Sequence, residues 1–296
     1  MRVAVLTTSY PRHAGDPSGH FVRTEVDALR ASGCDVEVFA AQGSAFGWPG
    51  VVPRLREAPL RAVPMMRELA RMRRAVRARA PWDGIVAHWL PTALLARGLP
   101  ARITVVGHGT DVRLLASLPR ALRHPLLEVL TDHANVVRVV SHGLEATLLE
   151  AASARARSRL RLKMEVAPSP IAPASENVRE AIEARRRAHA ARCSETKLAV
   201  TVGRLIPSKR VDRVLERFAS ANDWTLVVVG DGPERARLEA RAAALGVNAT
   251  FVGLVDRAEA LTWIGAADLL VHASEAEGIS TVLREAAALG TRVLTL

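Results

Sequence analysis

Short apolar runs recur along the chain, each followed by a glycine- or proline-containing loop and then by apolar positions at helical spacing. Six such runs in the first half, Arg2–Thr7, Cys34–Ala40, Gly84–His88, Arg102–Val106, Asn135–Val140 and Lys163–Ala167, read as buried strands. Five more follow: Lys197–Val202, Trp224–Val229, Ala249–Val252, Asp268–Ala273 and Arg292–Leu296. Between them lie helical patterns. Phe21–Ala31 carries Val22, Val26 and Leu29 on one face and stops at Gly33, and Val211, Val214, Leu215 and Phe218 form a similar stripe. Leu144–Ala151, Glu176–Arg192, Glu234–Leu245 and Arg257–Ala266 complete the helical series. Strands alternating with helices predict an α/β fold of Rossmann-like units. Pro168, Pro170 and Pro173, followed by the charged helix, predict a boundary that separates residues 1–172 from 173–296.

Bulk composition narrows this picture. A chain of 296 residues with 49% hydrophobic content and 24% charge has enough apolar material for two packed domains and is not disordered. The net charge of +11 does not indicate a nucleic-acid partner. Only Lys163, Lys197 and Lys209 are lysines among 41 basic residues, a skew that reads as compositional bias, and neither zinc-finger spacing nor an aromatic-rich basic patch accompanies it. Cys34 and Cys193 lack the paired spacing of a metal or redox motif and read as reduced cytosolic cysteines. The apolar run at Val3–Leu6 is too short for a signal-peptide core, and no stretch reaches ~18 apolar residues, so the expected location is the cytoplasm.

One segment departs from the general scatter of charge. Residues 54–80 carry nine arginines against Glu57 and Glu68, with Val63, Met66, Leu69, Ala70 and Val76 interleaved at roughly helical spacing. A basic amphipathic helix of this kind would suit an anionic membrane surface, placing the protein peripherally on the inner face of the membrane. An ordinary surface helix in an arginine-rich chain is the alternative.

Candidate chemistry gathers at strand ends. Residues 268–296 read as strand, loop, helix and strand, with Glu277 in the loop and Glu285 on a helix that Ser280 or Thr281 can cap and Gly290 can end. A helix N-terminus flanked by carboxylates at the carboxyl end of a strand suits a phosphorylated, sugar-bearing ligand. After Val202, the loop Gly203-Arg204-Leu205-Ile206-Pro207-Ser208-Lys209-Arg210 brings a guanidinium and an ammonium to one strand end, a pair suited to a diphosphate. Gly230-Asp231-Gly232-Pro233 follows the next strand but does not complete a dinucleotide motif, and the first strand likewise lacks G-x-G-x-x-G before its helix. His108, between Gly107 and Gly109 at a strand's carboxyl end, is exposed to whatever fills the adjoining space, and His88 ends its own strand in the same way.

Taken in order, Gly19, Gly107-His108-Gly109-Thr110-Asp111, Ser141, Val166-Ala167-Pro168-Ser169-Pro170, Gly203-Arg204 through Lys209, Gly230-Asp231-Gly232-Pro233-Glu234, Phe251-Val252-Gly253 and Glu277-x7-Glu285 resemble the retaining family-4 (group 1) glycosyltransferases of GT-B fold. The resemblance implies two Rossmann-like domains facing a cleft, with a nucleotide sugar held by the C-terminal domain and a glycan or lipid-linked cell-envelope acceptor by the N-terminal one. It further implies that Arg204 and Lys209 hold the diphosphate and that neither a metal nor another cofactor is needed. Glu277 would bond the donor sugar, the backbone at Gly278, Ile279 and Ser280 would adjoin the phosphate, and Glu285 would take the ribose. His108 would face the sugar, Gly19 would allow close approach to the phosphate, the base would lie near Gly230 and Gly253 to Val255, and Gly203 would count among the donor-binding residues. The chain departs from the pattern at Ser18-Gly19, where two glycines are common, at Ile279, where an aromatic is common, and at Arg210, where glycine often stands. Family members usually continue beyond the equivalent of Leu296, so the resemblance implies an incomplete C-terminal domain. A non-catalytic remnant that binds nucleotide sugar or a partner is the alternative of a different class, and a nucleotide-sugar epimerase of the same fold is another. A glycosidase is disfavoured because its two carboxylates must flank the cleaved bond, whereas Glu277 and Glu285 accompany Arg204 and Lys209.

Overall fold

A computed structural model describes residues 1–13, 16, 18–46, 51–192, 196–274 and 280–296. The chain divides into two compact units, the first built on Met1–Arg12 and Ser18–Pro170 and the second on Ile171–Leu296. In the first, β1 (Arg2–Thr7), α1 (His20–Ala31), β2 (Asp35–Ala40), α2 (Val51–Glu57) and α3 (Ala62–Ala78) are followed by β3 (Gly84–His88) and β4 (Arg102–Gly107). Then come α4 (Thr110–Ser117), α5 (Arg120–His133), β5 (Val136–Val139), α6 (His142–Ala151), α7 (Ala154–Lys163) and β6 (Met164–Val166). The second unit runs α8 (Glu176–Arg192), β7 (Lys197–Val202), α9 (Val211–Phe218), β8 (Trp224–Val229), α10 (Arg235–Ala244), β9 (Ala249–Gly253), α11 (Arg257–Ala266), β10 (Leu269–His272), α12 (Thr281–Ala288) and β11 (Val293–Thr295).

Both sheets are parallel, with strand orders β2-β1-β3-β4-β5-β6 and β11-β10-β7-β8-β9. Parallel strands need crossover helices, which cover both sheet faces, and this is why the strands read as continuous apolar runs. Alternation along β1 sends Val3 and Val5 to the α1 face, against Val22 and Val26, and Ala4 and Leu6 to the face holding Met72, Val76, Leu127, Leu148 and Leu160. In the second unit Ala199, Leu226 and Val228 pack with Val214, Leu215 and Leu238, while Leu198, Val200, Val227 and Val229 pack with Ile264 and Ala286.

The basic segment is not one helix. It is α2, a 3-10 turn at Pro59–Arg61 and then α3, with only Met72 and Val76 of α3 fully buried. Pro59 lies at the break, where its ring fits the first position of a turn but cannot donate into a continuing helix. Leu60, Val63 and Met66 face solvent at 86%, 54% and 60% exposure.

Strand order fixes where each unit can bind a ligand. From β1 the chain moves to β2 on one side and then crosses to β3 on the other; from β7 it moves out through β8 and β9 and returns to β10 on the opposite side. In open parallel sheets these reversals leave a crevice at the carboxyl ends of the two strands. The two crevices are therefore β1/β3 and β7/β10.

Candidate functional site

At the β7/β10 reversal the loop after Val202 is held by the backbones of its neighbours. The Gly203 N–H donates to Val229 O at 2.9 Å, Leu205 N–H to Asp231 O at 2.9 Å, and Glu234 N–H to Leu205 O at 3.1 Å. Gly230 N–H in turn donates to Gly253 O at 2.8 Å, so the ends of β7, β8 and β9 form one hydrogen-bonded platform. Leu205 anchors it in the core, 1% exposed, while Arg204 and Lys209 on either side are half-buried. Burial disfavours the charged guanidinium and lowers the pKa of Arg204. Arg210, the residue after Lys209, has φ 49° and ψ 43°. That is the left-handed region glycine enters without a Cβ penalty, which explains why glycine is the common residue there; the arginine carries a cost of roughly 1–2 kcal/mol.

A recess beside this loop is lined by Gly203, Leu205, Lys209, Val211, His272 and Ala273. His272 closes β10, and burial, with the charge of Lys209 adding to it, pushes its pKa down to about 4. It is a neutral imidazole at neutral pH, able to donate one hydrogen bond and accept another. Ser274 continues the strand end and its hydroxyl donates to Ser208 O at 3.3 Å.

Of the residues expected after it, Glu277, Gly278 and Ile279 lie outside the described residues. Ser280 occupies the N-cap position of α12, although its side chain makes no capping bond. Glu285 sits one turn into α12, buried, and its Oε1 accepts from Arg257 Nε at 3.2 Å. Arg257 also donates to Ala172 O at 3.1 Å, tying α11 to the segment that precedes α8. Val255 lies beyond the end of β9, packed on the same apolar cluster as Val200 and Ile264.

At the β1/β3 reversal Gly19 stands at the N-terminus of α1 with φ 65°, and a Cβ there would lie 2.1 Å from Ser9 O. The close approach that requires glycine is thus to the chain's own first loop. His108 follows β4, and its backbone N–H and that of Gly109 both donate to Asp111 Oδ1 at 3.0 Å. Asp111 Oδ2 accepts from Leu90 N–H at 2.9 Å. Burial raises the carboxyl pKa while these N–H groups oppose it, so Asp111 acts as the internal brace of the loop. The His108 ring lies among Phe21, Trp89 and His88, with centroids 4.7, 5.2 and 5.2 Å away. Its Nε2 is 2.9 Å from His88 Nδ1, and burial drives the pKa of both imidazoles down, that of His88 to about 3.

His108 and the Gly203–Lys209 loop stand at strand ends as the sequence predicts, and the fold puts each at or beside a reversal. Glu25, Arg138, His272 and the Arg257 partner of Glu285 have no counterpart among the sequence expectations. His272 closes an expected strand, so its position alone could have marked it. Glu25 and Arg138 meet from positions 113 residues apart, and no local pattern announces that contact.

Comparison with known proteins gives this geometry a family context. Residues 183–296 match the model of the family described as glycosyl transferases group 1, and residues 18–162 match that of the glycosyl transferase 4-like domain. A GDP-mannose-dependent alpha-mannosyltransferase from Mycobacterium tuberculosis is 39% identical over 93 residues, 31% of this chain and 23% of that protein. Its counterpart from Mycolicibacterium smegmatis is 36% identical over 93 residues, covering 31% of this chain and 24% of that protein. The aligned segment thus spans about a quarter of these relatives. Among solved structures, sucrose-phosphate synthase from Thermosynechococcus elongatus superposes with a TM-score of 0.72 at 20% identity, covering 99% of this chain and 80% of that one. Anabaena HepE in complex with UDP gives 0.63 at 19% identity, covering 100% and 80%. These likenesses show the fold, two Rossmann-like domains of the GT-B class.

Proposed function

Because the chain belongs to the group 1 glycosyltransferases, we propose that it moves a sugar from a nucleotide-sugar donor to a cell-envelope polysaccharide or glycolipid acceptor, with retention at the anomeric carbon and without a metal. The observation that carries this reading is the Gly203–Lys209 loop at the β7/β10 reversal, where a half-buried guanidinium and a half-buried ammonium flank a backbone platform. When the glycosidic bond to the diphosphate breaks, negative charge grows on the leaving oxygen. Arg204 offers a planar fork of N–H donors and Lys209 a point charge, and preorganised cations stabilise such charge more in the transition state than in the ground state. In this scheme they take the part that a divalent ion plays elsewhere. Glu285, oriented by Arg257, receives the ribose hydroxyls, Gly253 to Val255 adjoin the base, and Glu277 with Gly278, Ile279 and Ser280 contact the sugar and phosphate. His108 is assigned to the ligand at the first unit's reversal.

The test is a panel of UDP-, GDP-, ADP- and dTDP-sugars that includes GDP-mannose, the donor named for the mycobacterial relatives. Binding by calorimetry and slow hydrolysis are followed with and without EDTA. One base class should bind, and both readouts should survive the chelator. No binding by any donor sinks the proposal, and binding without hydrolysis or transfer assigns the chain to a donor-binding module instead.

A membrane-borne acceptor fits the surface of the first unit. Leu60, Val63 and Met66 project into solvent beside the exposed Arg56, Arg67, Arg71 and Arg74. Among the described residues no helix is long and apolar enough to cross a membrane, so contact through this face would be peripheral. Each basic residue near an anionic surface contributes on the order of 1 kcal/mol, to which apolar insertion adds. Flotation with phosphatidylglycerol vesicles should carry the protein up at low salt and not at high salt. The triple variant Leu60→Ser/Val63→Ser/Met66→Ser should lower the membrane partition constant about a hundredfold, since three inserted side chains contribute on the order of 1 kcal/mol apiece. Equal flotation of variant and parent would remove the apolar face from the proposal.

A further inference from the structure

Beneath the β1/β3 reversal lies a polar row that the transfer scheme does not use. Arg138, on β5, donates to Glu25 Oε1 of α1 in an ion pair, both side chains largely buried. Glu25 Oε2 faces His88 Nε2 at 4.0 Å, an electrostatic approach longer than a hydrogen bond, and both atoms are buried with no hydrogen-bond partner among the described residues. His88 Nδ1 then meets His108 Nε2 at 2.9 Å. The planes of the two imidazoles differ by only 14° while their centroids are 5.2 Å apart. With ring nitrogens at hydrogen-bond distance, those values describe two rings edge to edge in nearly one plane, which aligns the N–H of one with the lone pair of the other.

The row has one self-consistent proton arrangement. Both histidines are neutral, because burial and the nearby Arg138 charge oppose protonation, so each ring carries a single N–H and a single bare nitrogen. If His88 carried its proton on Nδ1, its bare Nε2 would direct a lone pair at the Glu25 carboxylate, a repulsion that the low dielectric of the interior enlarges. With the proton on Nε2, the N–H points toward the carboxylate and Nδ1 becomes an acceptor. His108 Nε2 must then be the donor, which leaves His108 Nδ1 bare. We propose that Glu25, held by Arg138, sets the tautomer of His88 and through it that of His108, so that His108 presents its Nδ1 as an acceptor for a hydroxyl of the bound sugar. Glu25 and His88 are thus positioning residues: they fix which side of the His108 ring accepts, just as a hydrogen bond at one ring nitrogen fixes the chemistry of the other. Phe21 and Trp89 hold the plane of the ring, and Asp111 holds its backbone. The hydroxyl partner rests on the assignment of His108 to the ligand; the tautomer itself does not.

The test reads the ring nitrogens directly. In protein labelled with 15N-histidine, protonated and bare imidazole nitrogens give well-separated resonances, and the signals of His88 and His108 are assigned from His88→Gln and His108→Gln. In the free parent protein His108 should show a protonated Nε2 and a bare Nδ1. A proton on Nδ1 instead overturns the proposal, with no sugar nucleotide in the tube, so this outcome is separate from failure of the donor panel. In Glu25→Gln the preference imposed by the carboxylate is lost, and the His108 population should move toward the Nδ1–H form. The double variant Glu25→Gln/Arg138→Gln removes both charges together and gives the same readout if the single variant leaves Arg138 buried without its counter-charge and fails to fold. An unchanged His108 tautomer in either variant also overturns the proposal. Where a donor has been identified, Glu25→Gln should lower kcat about tenfold, the loss of roughly one hydrogen bond, with little change in donor KM.

Discussion

Lys209→Ala is expected to lower kcat for sugar transfer on the order of 10² to 10³-fold, with a much smaller change in donor KM. The lysine closes the 3-10 turn Pro207–Lys209 and lines the recess beside Gly203 and His272. A cation there is worth most when charge has left the sugar and sits on the diphosphate, so its removal should raise the barrier more than it weakens the ground state. Arg204→Lys makes a sharper comparison. It keeps the charge but loses the planar fork, and a bidentate partner cannot be replaced by a point charge without cost. Recovery by Arg204→Lys of most of the activity lost in Arg204→Ala would show that charge alone matters at that position; little recovery is the expected result. The backbone bonds Gly203 N–H to Val229 O and Leu205 N–H to Asp231 O use neither side chain, so the variants should retain the parental circular dichroism. Transfer by Lys209→Ala at a rate close to that of the parent would remove this residue from the leaving-group role.

The strands were the most legible part of the fold. A parallel strand covered on both faces is apolar throughout, and Val3–Leu6, Leu198–Val202 and Leu226–Val229 announce themselves without reference to their partners. The helices α4, α5 and α7 were not legible, for local reasons. Pro125 lies inside α5, where proline argues against a helix, and α7 buries only Ala156 and Leu160 along ten residues, too few to produce a periodic stripe. Helix α7 instead begins on a cap, with Ser153 Oγ accepting from Ala156 N–H at 3.2 Å. The site divides along the same line. Gly203 through Lys209 is a contiguous loop, so its two cations could be paired from spacing alone. Glu285 was legible as a carboxylate on a helix, but the Arg257 that orients it comes from α11, 28 residues earlier. The Glu25–His88–His108 row joins α1, β3 and the loop after β4, and such a row exists only once the sheet order is known.

Gly230→Ala is expected to destabilise the second unit by more than about 3 kcal/mol, well beyond an ordinary glycine substitution. The residue has φ 133°, a region closed to side chains with a Cβ, and a Cβ built there would lie 1.9 Å from Gly203 O and 2.9 Å from Gly203 C. Relief cannot come from a rotamer change, because the obstructing atoms are backbone. It would require Gly203 and Gly230 to separate, yet Gly203 N–H is bonded to Val229 O and Gly230 N–H to Gly253 O. Moving either breaks the platform that carries Arg204 and Lys209. Gly246→Ala supplies the control: φ is 65°, also left-handed, but nothing lies within 4 Å of the added Cβ, so the cost should be only the roughly 1–2 kcal/mol of the conformation itself. Urea unfolding followed by tryptophan fluorescence, in a background where Trp48, Trp82 and Trp89 are replaced by Phe so that only Trp224 and Trp263 of the second unit report, would compare the two, provided both variants keep the parental slope. If Gly230→Ala were no worse than Gly246→Ala, the ends of β7 and β8 would have to lie farther apart than the bonded platform allows. Arg204 and Lys209 would then not be held at a fixed spacing, because the platform that carries them would yield to a single methyl group.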